Sequence, residues 1–148
     1  MPTESFPPNR TSAPASPTAQ ADTARRIVIC AGHVSVRAEL LATPTAARIW
    51  AALPLHSSAE TWGHVLQFEI PIESGRERDA CVLATAGDLY FWSENDRILI
   101  PFGRTPISRP GEMRLPSPCN VWATAVDPVT PLNAVTPGEK VSMTAAEK

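Results

Sequence analysis

The chain has 148 residues, room for one domain and too few for two of ordinary size. Hydrophobic residues make up 43% and charged residues 19%, enough for a real core in a soluble protein. A formal net charge of −2 gathers no phosphate backbone, which sets nucleic-acid binding aside, and no apolar run is long enough to span a bilayer.

Residues 1–25 are little but Pro, Ser, Thr and Ala, and a disordered tail is expected there, because such a segment buries too little apolar area to offset its ordering entropy. The tail lacks the apolar stretch of a signal peptide. Arg10, Arg25 and Arg26 among Ser and Thr suit a transit peptide, but Glu4, Asp22 and the prolines oppose its amphipathic helix, so a cytoplasmic location is the expectation. Pro14-Ala-Ser-Pro17 matches P-x-x-P, a match that chance explains in a segment this rich in proline.

The folded part is expected over 26–143. It opens with Arg26-Ile-Val-Ile-Cys30, a short β-branched strand, and Val34–Leu40, whose strict apolar/polar alternation marks a strand with one buried face. Thr43-Pro44 then starts a helix, Thr as cap and Pro at the first helical position, with Ala46, Ile49, Trp50 and Leu53 on its core side and Pro54 ending it. Strands are predicted over His64–Ile70 and Cys81–Thr85, on either side of the polar loop Glu73–Asp79. Gly87-Asp88 turns the chain into the aromatic strand Leu89–Trp92, and Ser93–Asp96 turns it again into Arg97–Gly103. A Pro-rich excursion, Pro106–Pro118, precedes the strand Asn120–Val126, a helical turn at Pro128–Leu132 and a closing strand at Lys140–Met143. Residues 144–148 are expected to fray. Seven or eight short strands with one clear helix favour a closed barrel or a sandwich over a parallel α/β sheet, since closure removes aggregation-prone edges.

The cysteines, Cys30, Cys81 and Cys119, are three and far apart, which is not a disulfide framework, and each is read as a buried structural thiol. Cys30 and His33 have the spacing of half a metal site without a second half. His33, His56 and His64 have no triad partner nearby in sequence, there is no G-x-S-x-G elbow, and nothing resembles a phosphate-binding Gly loop.

Thr61-Trp62-Gly63, Gly87-Asp-Leu-Tyr-Phe-Trp92, Ile100-Pro-Phe-Gly-Arg-Thr-Pro106 and Asn120-Val121 together make the chain resemble the atypical cyclophilin-like proteins of bacteria and archaea, over roughly Val34 to Met143. The resemblance implies a mainly β fold, a closed eight-stranded cyclophilin-like barrel with one or two short helices. It also implies a shallow groove on the barrel wall, where ordinary cyclophilins bind a prolyl peptide and catalyse its cis–trans isomerisation. Ordinary cyclophilins read Phe-His-Arg where this chain has Leu66-Gln67-Phe68, so Phe68 stands at the expected position of the catalytic arginine. Their Gln-Gly-Gly-Asp stretch is absent too, with Ile72-Glu73-Ser74-Gly75 near its place. A phenyl ring offers neither charge nor donor to the twisting carbonyl. Phe102, by contrast, matches the phenylalanine that receives the proline ring.

The expected function is therefore ligand binding with little or no ordinary isomerase activity. The expected ligand-binding residues are Trp62, Tyr90, Trp92, Phe102, Arg104 and Asn120, with a peptide or small organic molecule as the ligand and no metal or organic cofactor. A peptidyl-prolyl isomerase with Arg104 as the rearranged charge is the alternative. A third reading is a subunit of a multi-component amide-cleaving enzyme, so that a protein partner or a homodimer joins the expected partners; nucleic acid and membrane do not. Against these stand plainer readings: strand aromatics are more often packing residues, Phe68 is core by the parity of its strand, Gly103 marks a turn open only to glycine, and Arg104 is a surface charge.

Overall fold

In a computed structural model, which describes residues 25–146, the described residues form one antiparallel sheet with a single α-helix. The tail expected over residues 1–25 lies, all but Arg25, outside the described residues. The strands are β1 (Arg26–Ala31), β2 (Val34–Leu40), β3 (Leu55–Ser58), β4 (Glu60–Thr61), β5 (Val65–Glu69), β6 (Cys81–Leu83), β7 (Asp88–Trp92), β8 (Arg97–Pro101), β9 (Arg114–Ala125) and β10 (Lys140–Ala145). The helix, α1, spans Pro44–Ala52, and a 3₁₀ turn covers Thr130–Ala134. Hydrogen bonds order the strands β3-β10-β1-β2-β9-β7-β8-β5-β4, with β6 added alongside β9.

The expected mainly β fold with a helix is present, but an eight-stranded closed barrel is not confirmed. There are ten strands among the described residues, and hydrogen-bonded pairing does not close the sheet, because β3 and β4 lie at opposite ends of its path. The sheet nevertheless curls until the Ser57 hydroxyl of β3 donates to the Glu69 carbonyl of β5 at 2.6 Å. Local sequence hid β3 and β4. Leu55-His-Ser-Ser58 has one buried residue in four, and two residues at Glu60-Thr61 carry no period.

The helix starts as its sequence dictates. Thr43 caps it by accepting from the Ala46 amide at 3.1 Å, Pro44 opens the first turn, and Thr45, Ala46 and Ile49 are buried. Trp50 and Leu53 only lean on the core, and the Arg25 guanidinium lies 5.3 Å from the Trp50 ring centroid. Strand β9 begins six residues before the expected Asn120, running through Pro116 and Pro118. Proline is tolerated there because the first half of β9 pairs only with β6, through a register shift between Arg114 and Cys119. At the other end of the chain β10 pairs through Thr144 and Ala145 with Val28 and Ile27, so order continues past Met143. Of the cysteines, Cys119 is buried while Cys30 and Cys81 are half-buried, and all three are free. No helix among the described residues is long and apolar enough to cross a membrane.

After β9 the chain is tied down by one ion pair. Asp127 accepts from the Arg37 backbone amide and from its guanidinium, at 2.9, 3.0 and 2.8 Å. The hydrogen bonds from the Arg37 side chain hold the Asp127 carboxyl down to about 2, against an ordinary 3.8. A carboxyl with a lowered folded-state value stabilises above its unfolded value and loses that contribution as pH falls through the folded one. The Asp127 carboxyl carbon should therefore titrate near 2 by NMR, and at a higher pH in Arg37→Ala, which removes the guanidinium and keeps the backbone amide. A normal midpoint in the native chain would mean that the pair does not form in solution.

Candidate functional site

Three neighbouring strands divide their side chains between two apolar layers. Leu66 and Phe68 of β5, Leu89 and Phe91 of β7, and Ile98 and Ile100 of β8 enter the main core beside Trp122. The alternate residues Val65, Tyr90 and Leu99 form a second cluster on the opposite face with Leu115 and Cys119 of β9. Trp62, Cys81, Ala84, Trp92 and Val121 pack around that second cluster. The cluster is covered by the chain itself, and Tyr90 is 2% exposed. The Tyr90 hydroxyl accepts from the Thr85 amide at 2.9 Å, and burial pushes its phenol up to about 12. Burial likewise pushes the Cys119 thiol up to about 12, which leaves it protonated and unreactive at neutral pH.

The expected site residues accordingly fall into separate places. Trp62, Tyr90 and Trp92 do come together, in the covered outer cluster. Phe102 leans on the main core instead, its ring stacked on His64 with centroids 5.6 Å apart. Phe68 is buried in the main core, as the parity of its strand requires, and Gln67 is the residue that β5 turns the other way.

Asn120 lies elsewhere again, in a buried polar knot. Its side-chain oxygen accepts from the Glu77 amide at 2.8 Å, and its amide nitrogen donates to the Gly75 carbonyl at 2.9 Å and to Thr45 Oγ1 at 3.0 Å. Thr45 Oγ1 donates its single proton to the Glu77 carboxylate, so it accepts from Asn120 and the Ser74 hydroxyl must donate to it. The Thr45 backbone amide, in the first turn of α1, also donates to Glu77, at 2.9 Å. Asn120 thus has both amide N–H donors and its side-chain oxygen engaged by the protein. Thr45, Ser74 and Glu77 carried no signal in the sequence, because three loop and helix residues meet Asn120 only in the folded chain.

Arg104 is exposed at the lip of a cavity of about 320 Å³, lined also by Ala84, Gly103, Gly111, Glu112 and Met113. Of these only Arg104 and Gly103 belong to the Ile100–Pro106 segment; Gly111 to Met113 come from the excursion after it, and Ala84 follows β6. Gly103 is not in a conformation reserved for glycine, contrary to the expected turn. It is required by contact, since a Cβ there would lie 2.6 Å from His64 Nδ1. Gly63, across from it, has φ +59°, and a Cβ would meet the Arg104 carbonyl at 2.9 Å. A larger hollow of about 480 Å³ is bordered by Arg48, Glu73, Ser74, Gly75, Ser93, Glu94 and Asp96, with no apolar side chain among them. Ligand sites are predominantly apolar with a few convergent polar groups, a description met by the hollow at Arg104. Among the described residues no three His, Cys, Asp or Glu side chains gather as a metal site would need.

Comparison with known proteins bears on the fold. The family described as Cyclophilin-like matches residues 25–144. No curated protein matches the chain. Among solved structures it is similar to a hypothetical protein from Archaeoglobus fulgidus determined in solution, at 28% identity and a TM-score of 0.73, covering 83% of this chain and 95% of that one.

Two outcomes follow from the burial. Asn120→Ala should cost about 1–3 kcal/mol in urea denaturation, the cost of leaving buried polar groups unsatisfied; an unchanged midpoint would remove the knot from the interactions that hold α1. Iodoacetamide should modify Cys119 only after unfolding, and peptide mapping of the native protein checks this.

Proposed function

The chain belongs to the cyclophilin-like family, and from that premise we propose that it is a binding module, taking a peptide or small organic ligand in the hollow beside Arg104 without ordinary prolyl isomerase activity. One observation carries the reading: Phe102 and Arg104, two residues apart, serve different layers. Phe102 leans on the main core and stacks on His64, while Arg104 borders the cavity with Ala84 and Met113.

Prolyl isomerisation faces a barrier of about 18–20 kcal/mol. Lowering it calls for an apolar seat that fixes the proline ring and a donor that follows the twisting carbonyl within the same groove. Losing one preorganised donor of this sort costs about 2.7–4 kcal/mol. Here the ring that resembles the seat packs against the core, the position that resembles the catalytic arginine holds the buried Phe68, and Tyr90 is buried with its hydroxyl oxygen accepting from the Thr85 amide. What remains open to a ligand is a guanidinium beside apolar walls. That combination binds and orients. The same features move the proposed site from Phe102 to Arg104, with Trp62 and Trp92 supporting it through the cluster that Ala84 joins. We also take the curled sheet as a barrel whose seam is spanned by the Ser57–Glu69 hydrogen bond rather than by paired strands.

A fragment screen on the ¹⁵N-labelled protein tests the proposal. Binders should shift the amides of Ala84, Gly103, Gly111 and Met113, and Arg104→Ala should weaken them, while exchange of an X-Pro peptide followed by NMR proceeds at its uncatalysed rate. Exchange accelerated by the native chain and lost in Arg104→Ala would replace this reading with the isomerase. Binders that shift only residues around Glu73 and Asp96 would move the site to the other hollow.

A further inference from the structure

The backbone on both sides of Arg104 is tightly held. Its carbonyl accepts from the His64 amide at 2.8 Å, and Gly103 before it is pressed against the His64 ring. After it, Thr105 donates its amide to Ser108 Oγ at 3.0 Å and its hydroxyl to the Arg114 carbonyl at 2.6 Å, and the Arg114 amide donates to the same Ser108 Oγ at 2.9 Å. Thr105 is 5% exposed, so these bonds lie largely away from solvent. The guanidinium is therefore carried on a rigid loop although it is itself exposed.

Its own hydrogen bonding is nearly unused. Of five N–H groups, one donates, from Nη2 to the Ser108 carbonyl at 3.2 Å, and none of the five ion pairs among the described residues includes Arg104. The carboxylate that shares the cavity, Glu112, is already engaged. It accepts from the Arg109 amide at 3.0 Å and from Arg114 Nε and Nη2 at 2.8 and 3.3 Å, and these bonds, the backbone one first, hold its carboxyl below the usual range. The cavity thus pairs a neutralised acid with a cation that lacks a counter-ion, between the small apolar wall of Ala84 and Met113 and two glycines without side chains.

We infer that this cavity takes a carboxylate carried on a small apolar body, with Arg104 as the fork for its two oxygens. The inference rests on the binding reading above and adds the ligand's chemical class. Guanidinium geometry matches a carboxylate bidentately, and such charge-assisted pairs are the strong hydrogen bonds at a protein surface. A phosphate monoester presents up to two negative charges where the lining supplies one guanidinium, which favours the singly charged group. A free organic acid and the C-terminal residue of a peptide both supply this chemistry.

The test is titration of the ¹⁵N-labelled full chain with N-acetyl-leucine, N-acetyl-leucinamide, phenyl phosphate and the peptide Ala-Ala-Leu with a free C-terminus. N-acetyl-leucine should shift Ala84, Gly103, Gly111 and Met113, and it should bind about tenfold or more tightly than its amide, the change expected when a charge-assisted pair is lost. Arg104→Gln should abolish that preference with the remaining spectrum unchanged, and Arg104→Lys should keep part of it. Ala-Ala-Leu binding well above N-acetyl-leucine assigns the site to peptide C-termini, and equal binding assigns it to free acids. Acid and amide binding alike at these residues would overturn the carboxylate inference and leave the binding reading standing, as would tighter binding of phenyl phosphate. No shift at these residues from any of the four would overturn both.

Discussion

Half of this fold hangs on the amide of Asn120, at the middle of the long strand β9. Before it, β9 pairs with β6 and contributes Leu115 and Cys119 to the outer apolar cluster; after it, β9 pairs with β2 and β7 and sends Trp122 into the main core. At that junction Asn120 binds the first turn of α1 through Thr45 and the 74–77 loop through Gly75 and Glu77. A buried amide tolerates this position only with its partners in place, because an unsatisfied one costs free energy comparable to a whole hydrogen bond. Helix, loop and strand are thus positioned together.

The same strand explains why the aromatic face is not an open groove. By adding β6 and covering Tyr90, β9 turns what resembles a cyclophilin binding wall into a second interior. An interior of that kind stabilises: burying a large side chain contributes about 1.5–3 kcal/mol. The hollow that we propose for a ligand lies at the margin of this interior, where the chain leaves β6 through Ala84 and the loop after β8 carries Arg104. The His64–Gly103 contact, the Gly63 turn and the Thr105–Ser108–Arg114 hydrogen bonds then act as one support for a single guanidinium. A cation on a rigid loop is preorganised, and preorganisation is what lets a small surface site bind with few contacts.

The sequence by itself determined the local elements and the family. Alternation in Val34–Leu40 and around Phe68 reported strands with one buried face; Thr43-Pro44 reported a capped helix, and the Ile100–Pro106 segment carried the family resemblance through to the match over residues 25–144. Those features reside in neighbours a few positions apart, where periodicity and capping act. Only the tertiary structure decided where the site residues went. Phe102 and Arg104, which strand alternation would place on one face, diverge because β8 ends at Pro101 and the chain bends at Gly103; Asn120 turned inward because Thr45, Gly75 and Glu77, up to 75 positions away in the chain, meet it there. Whether the sheet closed was equally beyond local pattern, since β3 and β4 are too short to show a period and, although only Ala59 separates them in the chain, they stand at opposite ends of the hydrogen-bonded path. Long-range pairing and the exclusion of water from an apolar face are properties of the assembled chain, and they set which of its charges stayed available to a ligand.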